Sequence, residues 1–446
     1  MSALVTALTL AQEPPAKETL APINYPAVLP VLIILGAACV GVLFEAFLPK
    51  HQRWSAQVFL TLLALVGSGV ALAFYLSDAP AGGELTLSST ISVDRPALVL
   101  WGTLLALSLG AVLMIADRSV EPGGAFVATA AIRPGTVQDR EQRLGAHPSR
   151  RDAARYGMQT EVFPLTLFAL GGMALLIVGL LFKGSVGPFH AWTPDVYQGA
   201  PTPITAFMAA CTKVAAFGGI MRVLSVGLES TQWEWRGILW GVAIVSMIIG
   251  AVLGLTQTDI KRMIAYSSIA HAGFLLIGAI VLNPDGVSST LFYLLAYGFT
   301  TVAAFGVISL VRDADGEATH LSQWAGLAKR SPLVAAVFTF LLLALAGIPL
   351  TSGFIGKFVV FQAALSDGMA PLVVVALVAS AIAAFFYLRV IVLMYFSEPA
   401  ADGPSVTVPG AFTTAAITLG VVITLLLGIV PAFALDWAAG GTFAVR

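Results

Sequence analysis

Charge is the scarcest property of this 446-residue sequence. Asp, Glu, Lys and Arg make up 11% of it, against 58% hydrophobic residues and a mean hydropathy of +0.90. A soluble domain carries about a quarter charged residues. A surface this apolar cannot face water and needs lipid as its solvent. The formal net charge of −1 excludes the basic footprint of a nucleic-acid binder. Cysteine is nearly absent: Cys39 and Cys211 each sit in an apolar run, where a thiol reads as a small core hydrophobe. No Cys-x-x-Cys pair occurs and the histidines are scattered, so no metal-ligand cluster is offered. The first 24 residues lack the basic start and the small-residue cleavage site of a signal peptide, and read as an extramembrane lead.

What the sequence has in abundance is apolar runs. A membrane helix needs about 20 mainly apolar residues. Runs of that kind occupy 25–48, 54–76, 96–116, 162–182, 202–225, 236–256, 262–282, 288–311, 333–364, 371–396 and 408–434. The expected fold is all-α, a polytopic transmembrane helical bundle of about eleven spans. Its parts are the lead at 1–24, three helices over 25–116, an arginine-rich loop at 117–160, a core over 161–396, and a last helix with its tail at 397–446.

Lys and Arg in short loops favour the cytoplasm. Lys50 and Arg53 follow the first span, which places the N-terminus outside and the 117–160 loop inside. Lys261, Arg262, Arg312, Lys329 and Arg330 should also be inside. Single crossings contradict this: a span leaving at 162–182, followed by two more, puts Lys261 outside. Either 162–200 hides an extra crossing, or an odd number of spans is missing there.

Two runs are interrupted. Gly347-Ile348-Pro349-Leu350-Thr351-Ser352-Gly353 divides 333–364, and Lys183 is followed by Gly184, Gly187, Pro188, Pro194, Pro201 and Pro203. Such interruptions suggest discontinuous helices, and residues 347–353 are expected to be non-helical because proline removes a backbone donor and glycine weakens a helix. Lysines cluster at these places. Lys213 stands mid-span among Ala209, Ala210, Val214 and Ala215, and Lys357 follows the second break. A charge at mid-span costs on the order of 2.5–3.5 kcal/mol on insertion scales, so such residues are functional candidates. Lys183 ends an apolar run, where an interfacial anchor and a functional lysine are both open readings. A buried ammonium loses hydration and can load and release a proton, which arginine cannot. A row of lysines joined by water, with His271 and Tyr266 in support, would make a proton relay. All three lysines are expected to be buried at similar depth.

Three strings carry a family resemblance: Val-Gly-Pro-Phe-His-Ala-Trp-Thr-Pro-Asp-Val-Tyr-Gln-Gly-Ala-Pro-Thr-Pro at 186–203, Thr-Gln-Thr-Asp-Ile-Lys-Arg-Met-Ile-Ala-Tyr-Ser-Ser-Ile-Ala-His-Ala-Gly at 256–273, and Leu-Ala-Gly-Ile-Pro-Leu-Thr-Ser-Gly-Phe-Ile-Gly-Lys at 345–357. From about residue 25 onward the chain resembles the antiporter-like membrane subunits of proton-pumping NADH:quinone oxidoreductase, respiratory complex I, in their subunit N branch. The general fold is shared with multi-subunit cation/proton antiporters, which leaves a redox-independent antiporter as the rival reading. The resemblance implies fourteen helices, inverted five-helix repeats each with a discontinuous helix, and a line of lysines matched by Lys183, Lys213 and Lys357. It implies no cofactor on this subunit, with NADH, FMN, iron–sulfur clusters and quinone handled elsewhere in the complex. It implies other membrane-arm subunits and the lipid bilayer as partners, and a bacterial inner membrane as location.

One departure stands out. Where the family carries some tens of residues, including a glutamate that pairs with the lysine at the position of Lys183, Met173 here runs directly into Ala174. Either a segment is omitted at that join, and its α-carbons lie farther apart than the ~3.8 Å of a trans peptide, or the chain carries a deletion.

Overall fold

Each apolar run forms helix, and the short polar links between runs set where the helices start. The computed structural model describes residues 24–80, 83–86, 91–117, 162–313, 316–399 and 403–439. The lead, apart from Asn24, and the arginine-rich loop, apart from Asp117, lie outside the described residues.

Helices α1 (Tyr25–Phe47) and α2 (Lys50–Asp78) form a hairpin, and a two-stranded ribbon of β1 (Glu84–Thr86) and β2 (Ile91–Val93) leads into α3 (Arg95–Ala116). The core follows: α4 (Val162–Lys183), α5 (Trp192–Gly199), α6 (Thr202–Gly227), α7 (Gln232–Leu255), α8 (Ile260–Ile280) and α9 (Pro284–Ile308). After a small hairpin of β3 (Val311–Asp313) and β4 (Gly316–Glu317) come α10 (Pro332–Ala346), α11 (Ser352–Ser366) and α12 (Ala370–Phe396). Strand β5 (Ser405–Val406) pairs with β3, and α13 (Ala411–Ile429) and the short α14 (Ala432–Ala438) complete the described chain. Asp94, Asp259 and Asn283 accept from backbone N–H groups three residues ahead and so cap α3, α8 and α9. Proline opens α9, α10 and α12, where its missing N–H costs no helical bond.

Helices α8 and α9 are the centre. About 94% of each span is buried, against 17–39% for α1, α2, α3, α7, α12 and α13, which surround them. The pair therefore has almost no lipid-facing side. Close approach at the centre needs small residues: a Cβ on Gly250 of α7 would stand 2.3 Å from the Ala270 nitrogen of α8.

Both ends of the bundle are defined by contacts. Asp117, Ala200, Lys261, Arg262, the β3–β4 hairpin, β5 and the start of α13 meet at one end, through Lys261 to the Ala200 carbonyl (2.8 Å), Ile260 to Thr319 (2.7 Å) and Thr413 to Asp117 (3.1 Å). Arg389 reaches the Leu255 and Gln257 carbonyls at this same end, so it caps α7. At the other end lie Asn24, bonded to Thr86, the Arg222–Asp94 ion pair, and Arg95 against the Asp436 and Trp437 carbonyls. The basic loops of the core thus share one end, as the charge rule required.

Two expectations need correction. The run at 162–182 does not leave from the basic end. Met173 lies beside Thr231 at the opposite end, and α4, a break at 184–191 and α5 together make one crossing down to Ala200. Met173 and Ala174 both lie within helix α4. The second break is confined to 347–351, because Ser352 and Gly353 already belong to α11. Gly347 closes α10 in the left-handed conformation (φ 86°), with its own N–H and that of Ile348 returned to the last turn at 3.0 Å.

Candidate functional site

Lys213 and Lys357 lie inside the core, 2% and 6% exposed. Lys213 follows a π-helical turn at Met208–Thr212, a distortion that recurs at functional positions of α-helices. Its ammonium donates to the carbonyls of Ser268 (2.9 Å) and Gly184 (3.3 Å) and sits 5.7 Å from the Tyr297 ring centre. Gly184 ends α4, so one acceptor is a helix C-terminus, where carbonyls lack partners and the helix dipole is negative.

Lys357 repeats that arrangement at the other break. Its ammonium donates to the Ala346 (2.8 Å) and Leu345 (3.2 Å) carbonyls at the end of α10 and to the Ser380 hydroxyl on α12 (2.8 Å). Hydrogen bonds to a charged group contribute about 1.5–3 kcal/mol each, enough for two or three to offset the insertion cost of the charge. All of these acceptors are neutral, and no carboxylate lies within ion-pair distance of either lysine among the described residues.

His271 on α8 stands between them. The Tyr297 ring lies tilted at 5.0 Å from it, the Tyr293 hydroxyl bonds Nδ1 at 2.6 Å, and the Tyr387 hydroxyl reaches Nε2 at 3.4 Å. Tyr387 also bonds Ser267. On the far side Phe274 meets the His271 ring edge-on at 5.8 Å and lies 5.2 Å from the Lys357 ammonium. Tyr293 enters beside Lys357 because its neighbour is Gly356, whose Cβ would stand 2.5 Å from the tyrosine ring. Buried polar groups therefore run from Lys213 past Tyr297 to His271 with Tyr293 and Tyr387, and the Phe274 ring lies between His271 and Lys357.

Two expected members stand apart. Lys183 is exposed rather than buried. It lines a crevice of about 610 Å³ with Pro30, Ile34, Leu35, Trp101 and Cys211, between α1–α3 and the core, with no ion-pair partner among the described residues. Tyr266 is half-buried and faces His190 at 6.4 Å, on a side of α8 away from His271. The tyrosines that do join the line, Tyr293, Tyr297 and Tyr387, were not singled out. The spacing of Tyr293 and Tyr297, four apart in an apolar span, was the available signal. Cys39 is exposed and not a core residue, whereas Cys211 is buried beside Ser108. No group of three or more His, Cys, Asp or Glu gathers as a metal site among the described residues.

Residues 158–401 match the family model described as NADH:quinone oxidoreductase/Mrp antiporter, TM. The NADH-quinone oxidoreductase subunit N of Saccharopolyspora erythraea is 59% identical, over 94% of this chain and 98% of its own length. That alignment runs over 513 positions, though 94% of 446 residues is only about 420, so the relative carries roughly ninety residues with no counterpart here. Among solved structures, a chain of respiratory complex I from Thermus thermophilus matches with a TM-score of 0.68 at 26% identity, over 94% of this chain and all of that one. A chain of the Mrp complex from a Dietzia species shares the fold, with a TM-score of 0.72 at 19% identity over 94% and 97% of the two chains.

Proposed function

The chain belongs to the NADH:quinone oxidoreductase/Mrp antiporter membrane family, and on that premise we propose that protons cross it along the line Lys213–Tyr297–His271–Lys357. It acts as a proton-translocating membrane-arm subunit of respiratory complex I, an enzyme whose electron transfer from NADH to quinone drives it. Relatives named as subunit N favour this over a redox-independent antiporter, since the Mrp likeness carries the fold alone. The parent complex supplies NADH, FMN, iron–sulfur and quinone chemistry; this subunit holds none of these groups. Its neighbours are other membrane-arm subunits and lipid. It resides in the bacterial inner membrane with Asn24 outside, because the loops bearing Lys261, Arg262, Arg312, Lys329 and Arg330 lie at the opposite end.

The observation that carries the reading is the neutrality of the lysine acceptors. A carboxylate partner would hold each ammonium charged and be stranded when the proton left. Backbone carbonyls and a serine hydroxyl stabilise the charged amine without that penalty. Lysine can give its proton to a neighbouring water or imidazole, and His271, bracketed at both nitrogens by tyrosine hydroxyls, can accept at one nitrogen and donate from the other. The crevice position of Lys183 leaves it outside this enclosed line, and its role as a carrier requires a link to Lys213 past Gly184.

Inverted membrane vesicles containing the assembled complex test the reading. Lys213→Met and Lys357→Met should each lower NADH-driven acidification by about tenfold or more, the scale of a lost proton-transfer group, with the complex still assembled. Undiminished pumping in either variant would remove that lysine from the pathway.

A further inference from the structure

A second titratable pair lies at the basic end, outside the lysine line. The Lys261 ammonium, 3% exposed, donates to Glu317 Oε2 at 3.3 Å and to the Ala200 carbonyl at 2.8 Å, and Thr202 donates to the same Oε2 at 2.5 Å. Glu317 Oε1 is buried and has no hydrogen-bond partner among the described residues. The pair thus joins the β3–β4 hairpin to the α5–α6 connection while leaving one carboxylate oxygen without a donor, an arrangement a purely structural bridge does not need.

Lys261 precedes Ser268 by two helical turns and His271 by three on the same helix, roughly 10 and 15 Å along the axis at 1.5 Å per residue. Near this stretch the Thr193 hydroxyl is buried without a hydrogen-bond partner among the described residues. The Ser268 hydroxyl lies against the hydroxyls of Tyr197 and Tyr297, the Thr301 hydroxyl lies against that of Tyr297, and the Ser268 carbonyl holds Lys213. Buried hydroxyls left unmatched by protein are the places where ordered water is held. The other charged groups around the pair are engaged. Arg262 binds Asp195 and Gln198, Asp259 caps α8 and accepts from Gln198, Asp313 accepts from Gln323, and His320 caps its own turn. Arg312 faces Glu317 across the β3–β4 ladder.

We propose that Glu317, held by Lys261, is the port where protons enter the line from water at the basic end. Hydronium at the basic end gives a proton to the Glu317 carboxylate, which forms the carboxylic O–H bond and leaves water. That bond then breaks toward water held by the Thr193, Ser268 and Thr301 hydroxyls, and the neutral Lys213 amine gains the N–H. Lys261 keeps its proton and acts as a positioning residue, fixing Oε2 so that Oε1 points inward.

The inference rests on the proton-translocating reading, and the test separates the two. In inverted vesicles with the assembled complex, Glu317→Gln keeps the shape and the contacts of the carboxyl but removes its proton exchange. NADH-driven acidification should fall about tenfold or more, and should recover in part as the pH on the basic side is lowered. Glu317→Asp, which keeps a titratable carboxyl but shortens its reach to Lys261 and Thr202, should restore most of it. If Glu317→Asp is as defective as Glu317→Gln, the pair is a fastening and the port is refuted. If Glu317→Gln pumps normally while Lys357→Met does not, the port is refuted and the lysine line stands. If Lys357→Met also pumps normally, both fail.

Discussion

Lys357 has three N–H donors when charged and three acceptors in reach: two carbonyls at the end of α10 and one serine hydroxyl. The neutral amine has two. Losing the proton therefore either leaves one acceptor without a donor or turns the Ser380 hydroxyl to donate to the amine, so the charge of this lysine is coupled to the bonds between α10, α11 and α12. Lys357→Arg should assemble normally and lose pumping as completely as Lys357→Met, because guanidinium stays protonated; vesicle acidification distinguishes this from a mere need for positive charge. Gly347→Ala should also impair the site. Alanine in the left-handed conformation costs about 1–2 kcal/mol, and its Cβ would stand 3.0 Å from both Cδ and Nζ of Lys357. A fall in pumping together with a lower thermal midpoint would show it, and an unchanged midpoint would count against the strain.

The elements were readable to different degrees. Every apolar run became helix, and Gly347 and Pro349 located the second break to within two residues of its observed end. Lys213 and Lys357 stood out because a charge inside a span is expensive. Which face of each span meets lipid was not readable, because lipid-facing and protein-facing residues are about equally apolar. The apolar runs around Lys183 and Cys39 therefore do not show that both face outward, and nothing in the spans marks Tyr293, Tyr297 and Tyr387 as facing His271. The crossing of α7 and α8 was equally hidden, since Gly250 gives no sign in sequence of the backbone 2.3 Å from its absent Cβ. Gly250→Leu should force the two helices apart at a cost of about 1–3 kcal/mol, lowering the thermal midpoint of the purified complex. A midpoint equal to that of the parent would mean the helices tolerate the wider spacing.

At the scale of the whole molecule, the chain leaves α3 at the basic end with Asp117 and is at the opposite end by Met173, so one net crossing separates them. Orientation is open to a direct check. A cysteine placed at Thr256, on a background with Cys39 and Cys211 replaced by serine, should react with an impermeant maleimide only from the cytoplasmic side, and one at Ser77 only from the other. The reverse pattern would overturn the assignment of Asn24 to the outside. The enclosure of α8 and α9 has a consequence in time. Helix α9 is complete at Ile308, but α13, packed along it, ends at Ile429. At about 5–20 residues per second of synthesis, the central pair waits roughly 6–24 s for its last cover. During that interval its polar side chains have only the helices already made, passing lipid, or an insertion chaperone to shield them.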